Sequence, residues 1–425
     1  MYFLDALLLL LSLGLYLFFN QLGLLVPLLI TVLAYRCYKS EQKWQRYLTG
    51  LGIVGLLLAS FLGRYSVTML VAAYLGFLSL CLIWSRKSPE GPSSLGQKLL
   101  GLLTKLVLGL AVVLHLFFIY NVINPDFITS HTNVFFGSTV VPEKAESKEK
   151  GENGVVYYRD LTYPSQLGNN KLDIYTTPNA KGTIFYIHGG GYAAGDKIER
   201  EDYLFRYVTD GYNVVNVNYL LSPKARYKDG LRQVDEALAY VEANAATYGI
   251  DTNKIILSGD SAGGQLAGQL ALVLTNPDYA QGIQFSPLAK LTPKGYIGVS
   301  SWSDIQMGMK TGVFAFDWLV APLARSYFQV LDVVQDKRVE ESSILKNVNQ
   351  DFPASFISDG NTGSFTKSNQ ALVKRLEDLG VPVASQFYDV KQVKLPHIFE
   401  LRLDNSYAQE VYAKQVQFLD NLLAQ

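Results

Sequence analysis

Residues 257–264 read LSGDSAGG, and no other stretch constrains the chain so tightly. The octapeptide closes the apolar run KIILSGD and opens SAGGQLAGQLAL, so an extended segment gives way to a helical one within a residue or two. Gly259, Gly263 and Gly264 crowd that junction around a single hydroxyl, that of Ser261. Glycine costs backbone entropy in any regular element, so three of them beside one serine imply a sharp turn or a close approach by another segment. A serine presented on a strand-to-helix turn has the setting of a nucleophile elbow.

A second glycine cluster lies upstream in FYIHGGGY, residues 185–192, directly after the buried-looking run GTIFYI. Glycines there allow backbone N–H groups to point at a developing oxyanion without obstruction, each contributing about 3 kcal/mol to the transition state. A phosphate-cradling loop is the competing reading. No Lys-Ser/Thr pair follows the run and no acidic residue for a ribose sits in a βαβ context, so that reading is disfavoured.

Strand-like runs at GVVYYRDLTY, KLDIYTT, GTIFYIH, YNVVNVNYL, KIILSG, GYIGVSS, ASFISD and VASQFYDV alternate, in their later part, with helical patterns such as GLRQVDEALAYVEANAATYG and FTKSNQALVKRLEDLG. Two antiparallel strands followed by strand–helix units predict a mostly parallel eight-stranded sheet with helices on both faces and its site at the carboxyl ends of the strands. This order fits an α/β-hydrolase. The segment 307–334, with Phe314, Phe316, Trp318 and Phe328, is expected to form a small cap over an apolar acyl or aryl pocket.

HGGGY, NYLLSPKARY, DTNKIILSGDSAGGQLAGQLAL and LPHIFE together resemble the hormone-sensitive-lipase-type branch of the α/β-hydrolases, the carboxylesterase and arylacetamide-deacetylase-like enzymes. The resemblance covers residues 155–425. It implies that Gly190, Gly191 and Ala262 donate the oxyanion N–H groups and that the chemistry needs no metal or organic cofactor.

The base follows by elimination, since a serine needs a neighbouring general base and the chain has four histidines. His115 lies in an apolar run, His131 in the flank that follows, and His188 in the glycine run. His397 remains, in a loop before the last helix. The acid departs from the family pattern: where a stretch like GDADPL is expected the chain has GNTGSF, with Asn361 and Gly363 in place of both aspartates. Asp359, at the strand's carboxyl end, is the favoured acid and Asp304 the alternative. A dyad helped by Asn361 or water is a third arrangement.

Almost the whole apolar excess of a 49% hydrophobic, 17% charged chain lies before residue 122. Five runs, at roughly 3–19, 22–36, 47–63, 66–84 and 99–120, each approach the 20 or so apolar residues that a membrane helix requires. They are apolar all round, unlike the helices of a soluble bundle. The first lacks the basic flank and cleavage site of a signal sequence. Arg36, Lys39, Lys43 and Arg46 in the second connection, and Arg86, Lys87 and Lys98 in the fourth, put those loops in the cytoplasm. Residues 1–121 are therefore expected to be a five-helix transmembrane region with its amino terminus inside, 122–154 a juxtamembrane segment and charged tether, and 155–425 an extracytoplasmic catalytic domain.

Zero formal net charge argues against a nucleic-acid partner. Both cysteines, Cys37 and Cys81, lie in or beside the apolar runs, so the catalytic part relies on no disulfide or thiolate metal site. The expectation is a membrane-anchored serine esterase acting on short-acyl or aryl esters, small-molecule or cell-envelope, with the bilayer as its other partner. The alternatives are an acyltransferase or deacetylase acting on envelope glycans or lipid-linked substrates, and a non-catalytic scaffold on a hydrolase fold.

Overall fold

Among the described residues a nine-stranded sheet organises the fold, in the spatial order β1-β2-β3-β5-β4-β6-β7-β8-β9. The strands are β1 (Ser147–Lys150), β2 (Val156–Thr162), β3 (Lys171–Thr176), β4 (Thr183–Ile187), β5 (Asn213–Val217), β6 (Ile255–Asp260), β7 (Gly295–Val299), β8 (Ala354–Ser358) and β9 (Val383–Gln386). The computed structural model describes residues 124–132 and 145–424, together with Leu95 and Tyr120. The five expected spans fall outside these residues, apart from Tyr120 at the edge of the last. Among the described residues no helix is long and apolar enough to cross a membrane.

The sheet has one strand more than the eight expected from sequence. The extra strand, SKEK, lies inside the charged stretch 143–154 and pairs antiparallel with β2, Ser147 opposite Arg159 and Lys150 opposite Val156. All four of its side chains are exposed. A charge run carries no signal for a strand, yet it suits a sheet edge, because exposed charges discourage pairing with another chain.

From β3 to β5 the pairing is antiparallel, and from β5 through β4, β6, β7 and β8 to β9 it is parallel. β4, β5, β6 and β7 are buried along their whole length, as strands covered on both faces must be. On one face α1 (Glu201–Thr209) and α5 (Ser406–Leu423) share a core with Ile184, Tyr186, Val214, Ile256, Ile297 and Phe356. There the hydroxyls of Tyr203 and Tyr207 both donate to Gln415 Oε1 at 2.8 Å, tying α1 to α5 in the interior. Tyr296, next to Ile297 and so on the opposite face, donates to the carbonyl of Gly264 in α3 (Ser261–Thr275). α3 packs in turn on α2 (Asp229–Ala243).

The expected cap contains α4 (Phe314–Phe328), between β7 and β8. Its aromatics divide. Phe328 is buried against Tyr192, Tyr227 and Tyr327, whereas Phe316 faces His397. The side chains of Phe314 and Trp318 lie outside the described set. Ahead of the sheet lies the short helix Pro125–Ser130, in which Asp126 takes Arg226 Nη2 at 2.8 Å and Ser326 Oγ of α4 at 2.7 Å.

Candidate active site

Ser261 is the first residue of α3, immediately after the last residue of β6, and its φ of 53° is left-handed for a residue with a side chain. Such a conformation costs about 1–3 kcal/mol and persists only where the surroundings impose it. They do so through contact between elements. A Cβ at Gly263 would run into the carbonyl oxygens of Ile187 and His188, and one at Gly259 would lie 2.5 Å from the Ile187 oxygen. The first turn of α3 thus rests directly on the end of β4, which leaves Ser261 8% exposed.

The run His188–Gly191 continues from β4. Gly190 and Gly191 both take positive φ, 120° and 60°, and a side chain at Gly190 would overlap the Ala194 carbonyl. A Cβ at Gly189 would come within 3.0 Å of Ser261 Cβ, so the run abuts the elbow. Ala262 is fully buried in the first turn of α3, where a helix leaves its N–H groups without intrahelical acceptors. The turn is anchored from below by Asp260. Its carboxylate accepts from Gly189 N at 3.0 Å, Tyr186 Oη at 2.9 Å, and Arg200 through Nε at 3.0 Å and Nη2 at 2.9 Å.

His397 Nε2 lies 2.9 Å from Ser261 Oγ. Its other nitrogen, Nδ1, meets no carboxylate among the described residues. It lies 2.7 Å from Ser364 Oγ, and Ser364 donates in turn to Asp359 Oδ1 through a short hydrogen bond. Asn369 Nδ2 donates to Asp359 Oδ2 at 2.7 Å. Of the two candidate acids, Asp359 is therefore connected to His397, through one serine.

Asp304 is connected elsewhere. It caps the helix Ile305–Gly308, accepting from Met307 N at 2.7 Å, and takes Ser343 Oγ at 2.7 Å. A dyad assisted by Asn361 is also at odds with the geometry. Asn361 donates to the carbonyls of Val393 at 2.9 Å and Tyr388 at 3.1 Å and accepts from Leu395 N at 2.9 Å. It holds the loop that carries the histidine, not the imidazole itself.

Burial dominates the electrostatics. Phe316 and Phe365 set their rings edge-on to His397, at 5.1 and 5.0 Å between centroids, and desolvation lowers the imidazole to about 4. Burial raises Asp359 to about 7, against hydrogen bonds from Ser364 and Asn369 that favour its charged form. Behind it Glu400 accepts from Ser300 Oγ at 2.9 Å and Ser358 Oγ at 3.0 Å. Burial, and then the charge of Asp359, push it up to about 8. Ser364, Arg200 and Glu400 carry no signal in the sequence, since a loop serine and two ordinary charged residues acquire partners only through the fold. Among the described residues no group of His, Cys, Asp and Glu side chains is arranged to hold a metal.

The chain is similar in structure to esterase B from Lactobacillus rhamnosis, with a TM-score of 0.60 at 19% identity, over 71% of this chain and 97% of that one. The fold is that of an α/β-hydrolase. A family model described as BD-FAE matches residues 172–312 of this chain. Among curated proteins, the chain is 26% identical over 218 residues to a probable carboxylic ester hydrolase, LipM, of Mycobacterium tuberculosis, covering 50% of this chain and 49% of that one. It is 32% identical over 119 residues to an acetyl esterase of Salmonella paratyphi B, covering 27% of this chain and 36% of that one. The chain thus spans about half or less of the length of these curated relatives.

Proposed function

We propose that this α/β-hydrolase is a serine carboxylesterase of the hormone-sensitive-lipase type. Ser261 attacks the ester carbonyl, His397 takes its proton and returns it to the leaving alkoxide, and water releases the acyl group from Ser261. Gly190, Gly191 and Ala262 hold the oxyanion, and Asp359 is the acid. The observation that carries the reading is the 2.9 Å approach of His397 Nε2 to a serine held in left-handed conformation at a strand-to-helix junction. The names of the relatives, a carboxylic ester hydrolase and an acetyl esterase, support ester cleavage. Phe316 beside His397 supports a short acyl or aryl substrate. The apolar runs before residue 121 support anchoring in a membrane, and the basic connections between them an extracytoplasmic catalytic domain.

Turnover of p-nitrophenyl acetate, butyrate and decanoate by the purified full-length protein tests this. Ester cleavage that vanishes in Ser261→Ala is expected, with acetate or butyrate preferred to decanoate. A folded wild-type protein as inert as Ser261→Ala towards all three would refute it.

A further inference from the structure

The link from His397 to Asp359 passes through a hydroxyl, and a hydroxyl has one proton to give. An ionised carboxylate only accepts. Both oxygens of Asp359 are met by donors, Oδ1 by Ser364 and Oδ2 by Asn369 Nδ2. Ser364 therefore turns its proton to Asp359 and presents only lone pairs to His397 Nδ1, 2.7 Å away. The ring proton must then sit on Nδ1. That leaves Nε2 bare, facing the Ser261 hydroxyl.

We propose that Ser364 is a positioning residue that fixes the tautomer of His397, passing the polarity of the Asp359 carboxylate to the imidazole through a single oriented hydroxyl. The inference rests on the reading of Ser261 as nucleophile and His397 as base. In acylation the Ser261 proton moves to Nε2 as the bond from Oγ to the carbonyl carbon forms and the carbonyl π pair moves onto its oxygen; that pair returns as the ester C–O bond breaks, and the proton passes from Nε2 to the leaving alkoxide. The Nδ1 and Ser364 protons stay where they are, and the imidazolium so formed faces the negative end of the Ser364 dipole. Were Asp359 to take a proton, its carboxyl would become a donor and Ser364 could turn its proton toward Nδ1. The ring proton would then belong on Nε2, where it blocks removal of the Ser261 proton. The titratable groups that face this relay are Asp359, Glu400 behind it, and Asp260 and Arg200, whose charges also act on His397.

The test compares wild type, Ser364→Ala and Ser364→Thr in the full-length protein with p-nitrophenyl butyrate. Alongside it, 15N spectra of histidine-labelled protein read the tautomer, with His397 assigned by difference against His397→Gln. The expected result for Ser364→Ala is a fall in kcat on the order of 10²-fold, short of the roughly 10⁴-fold seen when a serine protease histidine is held in the wrong tautomer, because water can enter the gap. KM should stay within about threefold, and Ser364→Thr, which keeps the hydroxyl, should recover most of kcat. The spectrum of wild type should show the proton on Nδ1, and Ser364→Ala a mixture. Below the Asp359 midpoint the wild-type signal should move toward the other tautomer as activity falls. Wild-type kcat in Ser364→Ala, or a folded Ser364→Thr as slow as the alanine variant, would overturn the relay. So would a wild-type proton on Nε2 at pH 8. Should Ser364→Ala fail to fold, the threonine variant and the wild-type spectrum still decide. The spectrum needs no turnover, so an inert wild type with the proton on Nδ1 would refute the esterase reading while leaving the relay standing.

Discussion

Replacing Arg200 with leucine strips Asp260 of its bidentate partner. The Asp260 carboxylate is fully buried beneath the elbow, and Arg200 reaches it with two nitrogens at 2.9–3.0 Å. Burial alone would drive its pKa up, but the guanidinium and the donors on Tyr186 and Gly189 hold it below the usual carboxylate value. Breaking such a pair from one side leaves an uncompensated buried charge and costs about 3–5 kcal/mol. For a unit the size of Asp126–Gln425 this lowers Tm by about 5–8 °C. The pH dependence carries the sign. In wild type the depressed pKa stabilises the fold above pH 4, and this contribution is lost as pH falls through the native value. In Arg200→Leu the pKa rises above its unfolded value, so stability is lost as pH climbs toward neutrality, and the deficit should be larger at pH 8 than at pH 5. Adding Asp260→Asn removes the charge and should recover most of the loss. Thermal melts of the three proteins at both pH values measure this. A deficit below about 1 kcal/mol, or a double variant no more stable than the single, would refute the assignment of Asp260 as a buried charge neutralised by Arg200.

Gly263→Ala would force a methyl group against two backbone carbonyls of the β4 end that cannot swing aside. Overpacking of this kind costs about 1–3 kcal/mol and should displace Ser261, lowering kcat/KM on the order of 10²-fold or more; wild-type turnover would show that the elbow does not depend on this approach. Glu400→Gln should flatten the pH dependence of stability. Because burial raises Glu400 to about 8, the folded protein holds a proton that the unfolded chain releases near pH 4.5, so wild type loses several kcal/mol (about 3–5) as pH rises across that window. Melts of both proteins from pH 5 to 9 should therefore diverge in favour of glutamine at high pH, and parallel curves would rule out a protonated Glu400 at neutrality.

The parts of the site that are legible in the sequence are those fixed by local chain geometry. Gly259, Gly263 and Gly264 announce a steric constraint, and the contacts of α3 with the end of β4 are that constraint seen from outside. His397 is legible because so few histidines compete for its role. The acid connection is not, because GNTGSF lacks a carboxylate where the family pattern has one, and the serine that completes the path has no distinguishing neighbours. Asp359 is favoured in the sequence by its place at the strand's carboxyl end, and what separates it from Asp304 in the structure is that Asp304 accepts from Met307 N as a helix cap while Asp359 is joined to Ser364. β1 is hidden for a different reason: strand recognition rests on apolar alternation, and SKEK has none.

That edge strand bears on how the part that carries the sheet can be isolated. Composition invites a cut after the charged stretch, at residue 155, but a fragment begun there would lose SKEK and the contact from Thr162 N to Glu146. The backbone of β2 would then stand open along Val156–Arg159, with Tyr157 and Tyr158 beside it, as a template for a second molecule. Poor solubility of such a fragment would reflect where it was cut rather than how the protein behaves, and a start before Glu146 keeps the shield that the lysines and glutamate provide.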